Sequence, residues 1–110
     1  MTITHVVLLQ FKDSADAEGL KAGLEQFLNL TQTCVHPTTQ KPYVLSMQGG
    51  KDTSIEHFQN GHTHAFVAEF ATVEDLEYYV KEDPVHQAFL RDTFPLVEKI
   101  TTMNFESGKL

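Results

Sequence analysis

The stretch ITHVVLLQF, residues 3–11, alternates as a strand does, yet it carries apolar residues on both faces. Ile3, Val7, Leu9 and Phe11 share one face with His5, while Val6 and Leu8 share the other with Thr4 and Gln10. A strand of this kind lies inside a sheet that is covered on both sides. In a chain of 110 residues, helices can cover one face. Something else must cover the second.

Ser14 predicts the cap of a helix running to about Cys34, in which Leu20, Leu24, Phe27, Leu28 and Thr31 form one apolar stripe. HPTTQKP (36–42) is a loop punctuated by two prolines. A second strand is expected from about Tyr43 to Gln48, stopping at Gly49-Gly50. Residues 51–61 read as an exposed connection with one helical turn around Ile55 to Phe58. THAFVAEF (63–70) is a third strand, with His64, Phe66, Ala68 and Phe70 on one face and Ala65, Val67 and Glu69 on the other. Thr72 begins TVED, a Ser/Thr-x-x-acid cap, and opens a short helix with Leu76, Tyr79 and Val80 inward. Asp83 caps the next helix and Pro84 takes its first position. His86, Phe89, Leu90 and Thr93 follow on one side, and Pro95 limits the helix. A last strand runs from about Val97 to Phe105.

The order β-α-β-β-α-α-β predicts an α+β fold in a single domain over residues 1–110. Its sheet is four-stranded and antiparallel with helices on one face, the ferredoxin-like arrangement. The open face carries Val6, Leu8, Ala65, Val67 and Met103. Leaving such a patch in water costs roughly 25 cal/mol per Å2 of apolar surface, so a homodimer with its sheets face to face is expected. A formal charge of -7, with no cluster of Lys or Arg, argues against a nucleic-acid partner. VVLL (6–9) is too short for a membrane span or a signal-peptide core. One cysteine, Cys34, leaves no intrachain disulfide and is expected to pack at the end of the first helix. A soluble, cytoplasmic protein without a membrane partner is the expectation.

Polar groups break the helix-facing apolar pattern at five places. His5 opens the first strand and His64 the third; Tyr79 and His86 come from the two later helices; Asn104 shares the parity of Ile100 and Thr102. Five polar groups aimed at one inter-layer space predict a lined cavity, with Val7, Leu9, Phe27 and Phe66 in its apolar wall. The plainer alternative makes each a hydrogen-bonded core residue. His86 lies in the first turn of a helix, where the partial positive end disfavours an imidazolium and favours a neutral general base. Tyr79 can donate to a developing oxyanion. Metal binding is the rival use of the histidines, because His62 and His64 are two apart with His57 nearby. No HExxH, Cys/His cluster or fixed third ligand accompanies them, and His62 is expected in the NGH turn, in water. No metal is expected, and the sequence assigns no role to His36 or His57.

THVVLLQFK, GHTHAFVAEF and EYYVKEDPVHQAF, in this order between Ile3 and Phe105, together resemble the stress-responsive dimeric α/β-barrel (Dabb) family. KEDPVHQAF looks like the fungal-type members. The resemblance implies a ferredoxin-like protomer and a homodimer whose sheets form a central barrel. It also implies a mixed functional repertoire. Many members are stress-induced proteins without an assigned reaction. A plant polyketide cyclase of the family closes a linear tetraketide by an intramolecular aldol condensation and needs no cofactor. By resemblance to that cyclase, His86 in PVHQAF and Tyr79 in EYYV hold the positions of its catalytic pair. His5 in THVVLL and His64 in HTHAF match its two other cavity histidines. The chain departs from it in the longer loop CVHPTTQKPY, in one residue added between Tyr79 and Pro84, and in Thr102 and Asn104 on the last strand. Two expectations therefore stand together. One is a cofactor-independent cyclase-type lyase acting on a polyketide-like substrate. The other is a non-catalytic stress-response dimer that binds an apolar metabolite or is simply a stable structural unit.

Overall fold

The computed structural model describes residues 2–110. Along the chain run β1 (Ile3–Phe11), α1 (Ala17–Leu28), α2 (Leu30–Thr33), β2 (Val44–Lys51), β3 (His64–Phe70), α3 (Val73–Lys81), α4 (Pro84–Thr93) and β4 (Val97–Glu106). A 3-10 turn at Phe94–Leu96 links α4 to β4. The four strands form one antiparallel sheet in the order β2-β3-β1-β4. This is the ferredoxin-like order, and the doubly apolar β1 sits inside it as its sequence demands.

The period of two decides what each strand buries. His5, Val7, Leu9 and Phe11 of β1 are buried under the helices, as are Phe66, Ala68 and Phe70 of β3. Phe27, Leu30, Leu76, Tyr79 and Phe89 close the core from the helical side. On the opposite face Val6, Leu8 and Val67 are half-buried, and Met103 is 69% exposed. Val6 pairs with both Val67 and Met103, so this apolar surface is continuous across three strands.

Several local expectations are met. Thr72 caps α3 through the Asp75 N–H, Asp83 caps α4 with Pro84 at its start, and Cys34 is fully buried at the end of α2. Others are corrected. The cap of α1 is Asp16 rather than Ser14, because the Asp16 carboxylate reaches the Glu18 and Gly19 N–H groups. The expected long first helix is interrupted at Asn29, and Leu28 faces solvent at 41% exposure. The segment Ile55 to Phe58 forms no helical turn, and both of these residues are exposed.

β2 also runs through Gly49-Gly50 to Lys51 rather than stopping there. Gly49 lies opposite Phe66, and a Cβ on it would come within 2.1 Å of the Phe66 ring. The missing side chain makes room for the aromatic one, so the glycine belongs to the ladder. Phe66 cannot give way, being stacked on Phe27 at 4.0 Å and buried. Gly49→Val is therefore expected to destabilise the fold by about 1–3 kcal/mol through overpacking, measured as a lowered denaturant midpoint, whereas Gly50→Ala, with no atom within 4 Å, should change little.

Candidate active site

The helix layer does not fill the space above β1. Between β1, β4, α3 and α4 lies an open cavity of about 180 Å3 whose walls include Val7, Leu9, Phe27, Phe89 and Leu90. His5, Tyr79, His86, Thr93 and Thr102 are the polar residues that line it. Val80, Phe94 and Ile100 line it while remaining 40%, 48% and 44% exposed, so they form an apolar rim around its mouth.

The junction of α3 and α4 positions the two central side chains. The last carbonyls of a helix lack intrahelical partners. Here the Glu82 and Asp83 N–H groups take Tyr78 O, the Gln87 side chain donates to Val80 O, and His86 Nδ1–H donates to Tyr79 O at 2.7 Å. A carbonyl only accepts, so the proton of neutral His86 is on Nδ1 and the lone pair is on Nε2. The ring stacks on that of Tyr79, with centroids 3.8 Å apart and planes inclined by 20°. His5 stands edge-on to Tyr79 at 6.2 Å. Its Nδ1–H donates to the Asn104 side-chain carbonyl at 2.5 Å, which leaves Nε2 of His5 as an acceptor too.

Burial holds His86 below the ordinary histidine value, and the nearby His5 adds to the effect. The Tyr79 carbonyl and the Asp83 carboxylate pull it back up. Desolvation is thus the leading cause, and the carboxylate capping the helix N-terminus opposes it. Tyr79 is pushed above the ordinary tyrosine value, chiefly by burial and then by Cys34 and Asp83, and stays a protonated donor. Its hydroxyl has no hydrogen-bond partner among the described residues. No fully buried polar side-chain atom is left without one, so the hydroxyl reaches the cavity.

His5, Val7, Leu9, Phe27, Tyr79 and His86 come together as the sequence pattern suggested. Asn104 stands one step back, as the partner of His5. Phe66 lies deeper in the core, stacked beneath Phe27 and not on the wall. His64 lies off the cavity, edge-on to Phe11 at 5.1 Å with its Nδ1 2.9 Å from the Thr63 hydroxyl. Burial, then Lys51, lowers its pKa. His62 is no solvated bystander: Nδ1–H donates to Gln59 O at 2.8 Å, and Nε2 meets the Thr101 hydroxyl at 3.0 Å, tying the loop to β4. Thr93 was not singled out as a cavity residue, although it shares the stripe of His86, Phe89 and Leu90. Among the described residues, no group of three or more His, Cys, Asp or Glu is placed to hold a metal ion, and no helix is long and apolar enough to cross a membrane.

These features can be set beside known proteins. The model of the stress responsive A/B barrel domain matches residues 3–107. The chain belongs to the stress-responsive A/B barrel family. It is similar to the stress-response A/B barrel domain-containing protein HS1 of Arabidopsis thaliana, 26% identical over 104 residues, which cover 94% of this chain and 88% of HS1. It is also similar to olivetolic acid cyclase of Cannabis sativa, 29% identical over 89 residues, covering 81% of this chain and 80% of the cyclase. Among solved structures, hydroxynitrile lyase from Passiflora edulis shares the fold, with a TM-score of 0.84 at 21% identity over 99% of this chain and 96% of the lyase. Other solved structures of the fold are of dimeric ferredoxin-like proteins.

The lowered pKa of His86 has a stability consequence whose sign is fixed. The unfolded chain binds the proton more readily than the folded one, so stability is full above the ordinary histidine value and falls as pH drops through it toward the folded pKa. Between about pH 7 and about pH 5 the urea midpoint should decline, and His86→Phe should make that decline shallower, with part of it remaining from His64. Equal declines in the two proteins would contradict the assignment.

Proposed function

We propose that this protein is a cofactor-independent, cyclase-type lyase of its family that uses His86 as general base and Tyr79 as hydrogen-bond donor on a polyketide-like substrate. One observation carries the reading: an open apolar cavity lined by the stacked rings of His86 and Tyr79, in which Nδ1 of His86 is committed to Tyr79 O and Nε2 is left as the acceptor. His86 Nε2 would take a proton from a carbon flanked by two carbonyls, which is acidic enough for an imidazole. The enolate so formed attacks a second carbonyl of the same chain, and Tyr79 donates to the oxygen on which charge develops. His5 and Thr102, which also line the cavity, would orient carbonyl oxygens. The similarity to olivetolic acid cyclase supports this class of chemistry.

The cavity also bounds the substrate. An apolar cavity of about 150 Å3 holds a benzene-sized molecule, so a space of about 180 Å3 encloses roughly the ring being closed. An aliphatic remainder would leave over Val80, Phe94 and Ile100. Among the described residues no Lys or Arg lines the cavity, which suits a neutral β-polyketone better than an anion. A second reading rests on the same walls: the mostly aliphatic and aromatic lining would also suit a stress-response protein that binds an apolar metabolite without transforming it.

Incubation with a panel of linear polyketides, followed by product analysis, separates the two. His86→Ala should reduce cyclisation by roughly 100- to 10,000-fold, and Tyr79→Phe by roughly 100- to 1,000-fold; unchanged turnover in His86→Ala would sink the mechanism. Ligand binding without product from any panel member would favour the second reading.

The assembly proposed with this function is a homodimer through the open sheet face, where the dimeric proteins sharing the fold offer support. Light scattering should give about twice the 12.4 kDa chain mass. Met103→Glu should shift the protein toward monomer, because it places a charge on that face.

A further inference from the structure

Asp83 is 1% exposed, the one acidic side chain buried among the described residues, and it has no part in the proton transfer proposed above. Its Oδ1 accepts from the Val85 N–H at 2.8 Å and the His86 N–H at 3.3 Å; its Oδ2 accepts from the Tyr43 hydroxyl at 2.5 Å. Capping a helix needs only the first two contacts, as Asp16 does for α1 while staying exposed. The third comes from a tyrosine far away in the chain, itself buried. Burying an ion is costly unless hydrogen bonds compensate it. This carboxylate is therefore held out of water at a set place in the first turn of α4, bonded to the backbone N–H of His86.

We infer that Tyr43 and Asp83 are positioning residues for His86: the buried carboxylate orients the first turn of α4 and supplies the negative charge that steadies the His86 imidazolium, and the Tyr43 hydroxyl moderates that charge. The inference rests on His86 being the base. An imidazole deep in an apolar cavity, at a helix N-terminus, is pressed toward its neutral form by both surroundings. A base pressed too far would take no proton near neutral pH. The other groups facing His86 do not supply the missing charge. His5 on β1 and Tyr79 on α3 stand in the cavity, the former disfavouring the imidazolium and the latter a protonated phenol. Cys34, at the end of α2, is pushed up to about 12 by burial and by Asp83, and so is neutral. Tyr43, before β2, is also raised by burial and by Asp83 and keeps its proton. Tyr78 on α3 is raised as well, and α1 and β4 meet the cavity with Phe27, Ile100 and Thr102, which do not titrate. Among the described residues, Asp83 is the only counter-charge acting on His86.

The test is an NMR pH titration of the His86 ring in the wild-type chain, in Asp83→Asn and in Tyr43→Phe. Asparagine keeps the Oδ1 acceptor and is itself a favoured cap, so the helix start is preserved while the charge is removed. The His86 midpoint is expected to fall in Asp83→Asn, and to rise in Tyr43→Phe as the carboxylate loses the dipole that offsets it. Midpoints unchanged from wild type in the folded variants overturn the inference. Should Asp83→Asn fail to fold, Tyr43→Phe decides alone, a rise supporting the inference and no change overturning it. The titration is independent of turnover. Failure of the His86 mechanism would appear as unchanged cyclisation in His86→Ala, whatever the midpoints do.

Discussion

The site depends on how α3 ends and α4 begins. A helix that stops inside a protein leaves carbonyls that must find donors. In this chain three of them are met within a few residues: Tyr78 O by two backbone N–H groups, Tyr79 O by His86, and Val80 O by Gln87. That need for donors brings the imidazole onto the Tyr79 ring and decides which of its nitrogens is protonated. The catalytic geometry proposed for the pair is thus also a solution to helix termination. The segment Glu82-Asp83-Pro84 makes it possible: Asp83 closes one helix, caps the next, and is pinned by Tyr43.

The sheet supplies the other half. β1 has strands on both edges and helices on one face, so His5 is held over the cavity by neighbours that cannot move independently. β4 is an edge strand with little helix above it, and Ile100 and Thr102 consequently open the cavity to solvent. A filled core would have needed larger side chains where Val7, Leu9, Thr93 and Thr102 stand. The void is built from these small and medium residues among the surrounding rings.

Much of this was legible in the sequence. The two-sided apolar pattern of residues 3–11 required an inner strand, the TVED and DPVH caps located both later helices, and strand parity put His5, Val7 and Leu9 on the cavity side. Parity says which face a residue occupies and not how deep it sits or how far along the strand. That is why Phe66 proved to be core and His64 lay beyond the cavity end, although both share the helix-facing side. Gly49-Gly50 looked like a stop because glycine weakens strands in isolation; only the Phe66 ring across the ladder explains its presence. His62 was misjudged, and the Tyr43 contact of Asp83 missed, for one reason. Their partners, Thr101 and Tyr43, are distant in the chain, and no local pattern announces them.

The central claim is that His86 can remove an acidic carbon-bound proton inside this cavity. Its most direct measurement is deuterium exchange at the α-carbon of a small neutral 1,3-diketone in heavy water, followed by NMR with and without protein. The account predicts exchange faster than in buffer with free imidazole at matched concentration, and its loss in His86→Gln. Exchange at the buffer rate while the diketone is shown to occupy the cavity, or acceleration that persists in His86→Gln, would contradict it.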